Sequence, residues 1–177
     1  MSVDDLLAAV AARTTAPGGG ASAALTAALA AALTTMAARF SHEPLQSGAS
    51  TAERLCAQAS ALADADVAAY GEYVAARRRH GRDSPETKEA LDAAVEVPLQ
   101  VAGIGAEVAD LARSLADDGN PRLRGDASTG CWLAAAAASS AAMLVSENLV
   151  GSPGDARVEE AQRFAGRAQA AATGLNR

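Results

Sequence analysis

The 177-residue sequence predicts an all-α fold, an up-and-down bundle of about six helices. Half of the residues are apolar, and more than half of those are alanine, the strongest helix former. Apolar side chains recur at spacings of three and four, with no alternating strand pattern. Helix start and stop signals cut the chain into six pieces, with neither a solenoid repeat nor a disordered tract. The length fits one domain, residues 1–177, able to bury its own core. With one Trp, two Tyr and two Phe, that core must come from helices packed at short distance rather than from large side chains.

Ser2 is placed to cap a first helix whose third position is Asp5, and Val3, Leu6, Leu7 and Val10 form one apolar face that should end by Thr14 or Thr15. The stretch Ala16-Pro17-Gly18-Gly19-Gly20-Ala21-Ser22 follows. Three glycines in a row lose more backbone entropy on folding than any other residues would, so they point to a turn or a close backbone approach. A glycine turn that opens a helix leaves N–H groups at the positive end of the helix dipole, which suits a carboxylate, a phosphate or a polarised carbonyl. The alternative is a hinge that lets two alanine-faced helices approach. The second helix then starts at Ala21 or Ser22, carries Leu25, Leu29, Leu33 and Met36 at helical spacing, and is closed by Pro44 and Ser47-Gly48.

Ser50-Thr51-Ala52-Glu53 has the order of a capping box, opening a third helix that runs to His80 with Gly81 as terminator. Arg77, Arg78 and Arg79 fall in its last turn, either as solvated cations that complement the dipole or as an anion-recruiting cluster. Ser84-Pro85-Glu86 opens a fourth helix toward Ala116 and Gly119. Pro98 lies inside it, which predicts a kink between Ala94 and Pro98, and Gly103 and Gly105 thin the next turn. Asp118 to Gly125 is turn chemistry, after which Asp126 is placed as N-cap of an uncharged fifth helix ending at Gly151. Ser152-Pro153-Gly154-Asp155 opens a sixth that frays into Gly174.

A net charge of −6 and a pI near 4.9 argue against non-specific nucleic-acid binding and against an anionic membrane surface. Thr14–Ala38 and Ala127–Ser146 carry no formal charge, but their Ala, Ser, Thr and Gly content is too weakly hydrophobic for a membrane span. They read as the central helices of the bundle. Cys56 and Cys131 have no second Cys or His at ligand spacing, and no leader-like segment opens the chain. The expectation is a cytoplasmic protein with two free thiols and no metal site.

Several islands, in order, resemble the formiminotetrahydrofolate cyclodeaminase and methenyltetrahydrofolate cyclohydrolase family. They are Ala16-Pro17-Gly18-Gly19-Gly20-Ala21-Ser22, Asp66-Val67-Ala68-Ala69-Tyr70, Ala94-Val95-Glu96-Val97-Pro98-Leu99, Gly119-Asn120 leading to Asp126-Ala127, and Val145 to Asn148-Leu149. The sequence departs from the family's pattern at Ala21, where serine is common, and at Leu144, where the family usually has Asn. The resemblance implies a dimer of helical bundles with folate in a groove, no metal or organic cofactor, and one-carbon chemistry on the folate. Apolar faces in excess of what one bundle can cover agree with a homodimer. In a cyclodeaminase a folate nitrogen attacks the formimino carbon and ammonia leaves; in a cyclohydrolase water opens the methenyl bridge to the formyl form.

Either route needs a group that shuttles one proton, a task for a carboxylate with a raised pKa. Asp126, at the mouth of an uncharged helix, is the first choice, with a simple N-cap as its alternative. Asp66 is second: aspartate is a poor mid-helix residue, so it must be exposed, paired or functional, and Asp64 two positions earlier puts at least one of the two in solvent. Gly18, Gly19, Gly20 and Ser22 form the candidate cradle. Asn148 can meet a pterin edge or cap its own helix, and Arg122 and Arg124 can hold the glutamate carboxylates of folate or stay solvated. Glu96 and Glu107 rank lower, and His42 and His80 look structural. Two alternatives stand beside the folate enzyme. One is the same scaffold making or breaking a C–N bond of a non-folate substrate; the other is a non-catalytic helical dimerisation module.

Overall fold

The computed structural model describes residues 2–152 and 154–175. Among them run α1 (Val3–Ala11), α2 (Gly19–Arg39), α3 (Gly48–His80), α4 (Pro85–Asp118), α5 (Arg124–Asn148) and α6 (Ala156–Gly174), with short 3₁₀ turns at Leu45–Ser47 and Pro121–Leu123 and no strand. The start signals act largely as read. Ser2 and Asp5 form a reciprocal capping box, Ser84 accepts from the Thr87 N–H with Pro85 in the first turn, and Asp155 accepts from the Arg157 N–H. Gly81 closes α3 at a φ of 84°, which a side chain would resist.

Helix α5 is the centre of the bundle, packed against α2, α4 and α6, while α3 covers the other side of α2. The interior is alanine: Ala24, Ala27, Ala30 and Ala31 of α2 share one core with Ala134, Ala138 and Ala141 of α5, all fully excluded from solvent. Two glycines set the spacing. A Cβ on Gly105 of α4 would lie 2.9 Å from both the Ala134 carbonyl and the Ala138 Cβ, and one on Gly130 of α5 would lie 3.2 Å from the Thr34 hydroxyl. Helix α1 contributes no buried residue.

Four expectations are corrected. Helix α2 begins at Gly19, because the glycines themselves enter the helix behind a Gly18 cap, and it ends at Arg39, well before Pro44. Its leucine stripe is not the inner face: Leu29 is exposed and Leu25, Leu33 and Met36 only half-buried, since alanine alone lets α2 sit close to two neighbours. The Ser50 capping box does not form. Helix α3 already starts at Gly48, Ser50 donates to the Ser47 carbonyl, and Glu53 pairs with Arg39 at 3.1 Å. Asp126 is not an N-cap, because α5 opens two residues earlier at Arg124 and leaves Asp126 in its first turn. Helix α5 closes at Asn148 rather than Gly151, and of the signal for α6, Pro153 lies outside the described residues.

Helix α2 and the stretch 121–148 are long and apolar enough to cross a membrane by length and composition, yet half or more of each apolar window is buried against other helices. Both cysteines are free. Cys131 is sealed between α5 and α4, where its thiol donates to the Ala109 carbonyl and burial pushes its pKa up to about 11.

Candidate functional site

The glycine turn delivers the first turn of α2 against the middle of α3, and the residue it meets there is Asp66. The Ala21 N–H donates to Asp66 Oδ2 at 2.9 Å, so a carboxylate 45 residues away caps the positive end of α2. Contact is so close that a Cβ on Gly20 would overlap the Asp66 carboxylate. The glycines thus serve a close backbone approach, and any side chain at Gly20 would displace the Asp66 carboxylate.

Asp66 is half-buried, whereas Asp64 is exposed. Burial raises the Asp66 pKa above the usual carboxylate value, partly offset by the hydrogen bond from Ala21. No cation pairs with it among the described residues. A carboxyl group in this state can accept and return a proton more readily near neutrality than a solvated aspartate.

A cavity of about 270 Å³ opens beside this contact, lined by Gly18, Gly19, Gly20, Asp66, Tyr70 and Asn148, with Pro98 and Leu144 as apolar walls. Asn148 neither caps α5 nor points away. Its Nδ2 lies 3.5 Å from the Ala94 carbonyl, the one that Pro98 leaves without its helical N–H partner four residues on. The proline and the asparagine are therefore one device: the missing donor in α4 is replaced by a side chain from α5, and that fixes Asn148 at the rim of the cavity. Leu144 stands over the turn, 3.7 Å from where a Gly19 Cβ would be. Ser22 donates to the Gly18 carbonyl at 2.8 Å and lines a neighbouring cleft with Gly19, Thr26, Ser140 and Leu144.

Three groups named from sequence therefore meet, the three glycines, Asp66 and Asn148, with Ser22 in the neighbouring cleft. Asp126, Arg122 and Arg124 do not join them within the chain. They sit at the start of α5, and the rise from Asp126 to Leu144 separates the two ends by roughly 27 Å. The Gly119-Asn120 island is at that far end too. There Asn120 donates to the Phe40 carbonyl at 2.9 Å and accepts from the Arg122 N–H at 3.0 Å, tying the end of α2 to the α4–α5 turn. Glu107 approaches Arg54 at 4.0 Å, Glu96 accepts from Gln100, and His42 lines a cavity beside Asn120. Tyr70 and Pro98 were not assigned site roles from sequence. The spacing of four between Asp66 and Tyr70 was the available signal, since it places both on one helical face.

The sequence profile described as formiminotransferase-cyclodeaminase matches residues 2–165. Among curated proteins none matches the sequence. Among solved structures, formiminotetrahydrofolate cyclodeaminase from Thermotoga maritima has a similar fold, with a TM-score of 0.81 over 99% of this chain and 91% of that one, at 24% sequence identity.

Proposed function

The chain belongs to the formiminotransferase-cyclodeaminase family, and we propose that it is an enzyme acting on a C–N bond of a folate-borne one-carbon unit, as a methenyltetrahydrofolate cyclohydrolase or a formiminotetrahydrofolate cyclodeaminase. The observation that carries the proposal is Asp66, a half-buried carboxyl held by the Ala21 N–H at the head of α2 and open to a cavity. It has the raised pKa that proton shuttling at a tetrahedral carbon asks for.

In the cyclohydrolase direction a water oxygen bonds to the methenyl carbon and one C–N bond breaks; of the two protons the water loses, one passes through Asp66 to the leaving nitrogen and the other goes to solvent with the charge of the methenyl cation. In the cyclodeaminase direction a folate nitrogen bonds to the formimino carbon and its proton travels by the same carboxyl to the formimino nitrogen, which takes one further proton from solvent and departs as ammonia, leaving the methenyl cation. The α2 N-terminus supplies partial positive charge beside the polarised carbon–nitrogen system, and Asn148 supplies a fixed amide at the rim. Folate is here the substrate, and no further cofactor is invoked. The working unit is a homodimer in this proposal, supported by the solvent exposure of Leu29 and Phe40 on α2 and of Trp132 and Met143 on α5.

Mixing the purified chain with methenyltetrahydrofolate and following its near-ultraviolet absorbance tests the cyclohydrolase. Decay no faster than in buffer removes that activity, and release of ammonia from formiminotetrahydrofolate then decides the other. A non-folate substrate is favoured by one feature, the aliphatic Leu144 over the glycine turn. Turnover of neither folate, with the fold intact, would select it. A non-catalytic module fits less well, because a half-buried carboxyl with no paired cation costs stability that such a module has no reason to retain.

A further inference from the structure

The first turn of α2 lies between two side chains from different helices. On one side the Asp66 carboxyl occupies the place a Gly20 side chain would take; on the other Leu144 of α5 stands over Gly19, its two methyl carbons 3.7 and 3.8 Å from where a Gly19 Cβ would be. Leu144 is half-buried and borders two cavities at once, the Asp66 cavity of about 270 Å³ and a cleft of about 280 Å³ between α2 and α5. Among the described residues the two cavities share one other lining residue, Gly19, which has no side chain. One isobutyl group therefore divides them.

Along α5, Ser140, Leu144 and Asn148 follow at spacings of four, on one helical face. Ser140 lines the cleft, Asn148 lines the Asp66 cavity, and Leu144 stands between them. The cleft is open to water, with Ser140 and Met143 exposed on it. On the cavity side the titratable groups in the lining are Asp66 and Tyr70, both from α3. Helix α2 brings no charge before Arg39, and Asp64 and Glu72 of α3, Glu96 of α4 and Glu147 of α5 are exposed and outside that lining. With no second charged side chain in the cavity wall, two things act on the Asp66 carboxyl: its separation from water and the Ala21 N–H.

The geometry points to Leu144 as a positioning residue, an aliphatic partition that keeps water in the α2/α5 cleft away from the Asp66 carboxyl and steadies the head of α2 beside it. The assignment rests on Asp66 being the proton-transfer group proposed above; Leu144 handles no proton and acts through Asp66. Removing the isobutyl group joins the cavities. Water then reaches the ionised carboxyl, so the effect of burial weakens while the Ala21 hydrogen bond remains. Asp66 should titrate at lower pH and become a weaker base. A leucine that merely filled space would cost stability without moving that titration, and one that merely touched substrate would not move it in the unliganded chain.

The test is a carbon-13 NMR titration of the full, unliganded chain labelled at its aspartate carboxyls, with the Asp66 signal identified by its loss in Asp66→Asn. In Leu144→Ala and Leu144→Ser, both checked for helical circular dichroism, that signal should titrate at lower pH than in the parent. Leu144→Met restores an apolar side chain of similar volume and should titrate as the parent does. Ser140→Ala, on the cleft side of the partition, should do the same. Turnover should follow the titration, with kcat falling about tenfold in Leu144→Ala and recovering in Leu144→Met. An Asp66 titration unchanged in both shortened variants, or moved as far by Leu144→Met or by Ser140→Ala, would overturn the partition. Because the titration needs no folate, a shifted Asp66 signal in a chain that turns over neither folate would support the partition and sink the proposed activity alone. Folate turnover with an unmoved Asp66 signal would do the reverse.

Discussion

At Asp66 two forces on one carboxyl oppose each other: burial favours the protonated form, and the Ala21 N–H favours the ionised one, with burial the larger. A folded-state pKa above the ordinary 3.8 means that the native chain holds this proton more tightly than the unfolded chain does. The associated stability is full below the unfolded value and is lost as pH rises through the raised one. Asp66→Asn should therefore melt at or above the parent at pH 7, with the advantage shrinking toward pH 4, while its turnover falls on the order of a hundredfold. Asp126→Asn, at the other end of α5, should turn over at near the parental rate; comparing kcat for the two variants decides between the carboxylates. Gly20→Ala places a methyl where the carboxylate sits, so it should displace Asp66 and abolish most turnover without unfolding the chain, as thermal melting and kcat together would show. The sequence marked both Asp66 and the glycines, but not that they touch. Only the packing of α3 on α2 brings together residues 45 positions apart, and no local pattern carries that pairing.

Helix boundaries were legible where a side chain meets its own backbone, as at Ser2, Ser84, Gly81 and Asp155, because such caps depend on three or four neighbouring residues alone. They were misread at Ser50 and Asp126, where each helix starts two residues before its most favourable capping residue. Pro98 was read as a kink signal, and it also frees the Ala94 carbonyl that Asn148 meets from another helix. Pro98→Ala would return the N–H to α4 and release Asn148. Thermal stability should rise, by less than the roughly 3 kcal/mol that proline costs in a free helix interior, while KM increases with kcat little changed. At the α4–α5 crossing the opposite holds: Gly105→Ala forces a methyl against Ala134 and Ala138, and chemical denaturation should report a loss of about 1–3 kcal/mol.

On the scale of the whole molecule, the alanines that let α2 and α5 approach each other leave their larger side chains facing outward. Leu29 is 56% exposed, Phe40 64%, Trp132 41% and Met143 56%, and the two helices that bear them carry long stretches without a charge. The leucine spacing was visible in the sequence, but not which side of α2 it faced, because alanine counts as apolar and is small enough to fill the inner face alone. Side chains of this size gain about 1.5–3 kcal/mol each on burial, enough for four from each of two copies to hold a pair together. The parent chain should therefore sediment as a dimer at micromolar concentration, and Leu29→Glu with Met143→Glu should sediment as a monomer with its helical content intact. Burying Trp132 in the pair should shift its emission to shorter wavelength in the parent relative to the variant. Met143 also lines the cleft that holds Ser22 and Gly19, so separation of the copies exposes one wall of that cleft. Turnover should then fall together with dimer content across a dilution series; a parent that sediments as a monomer while fully active would show that the outward face serves something other than a second copy.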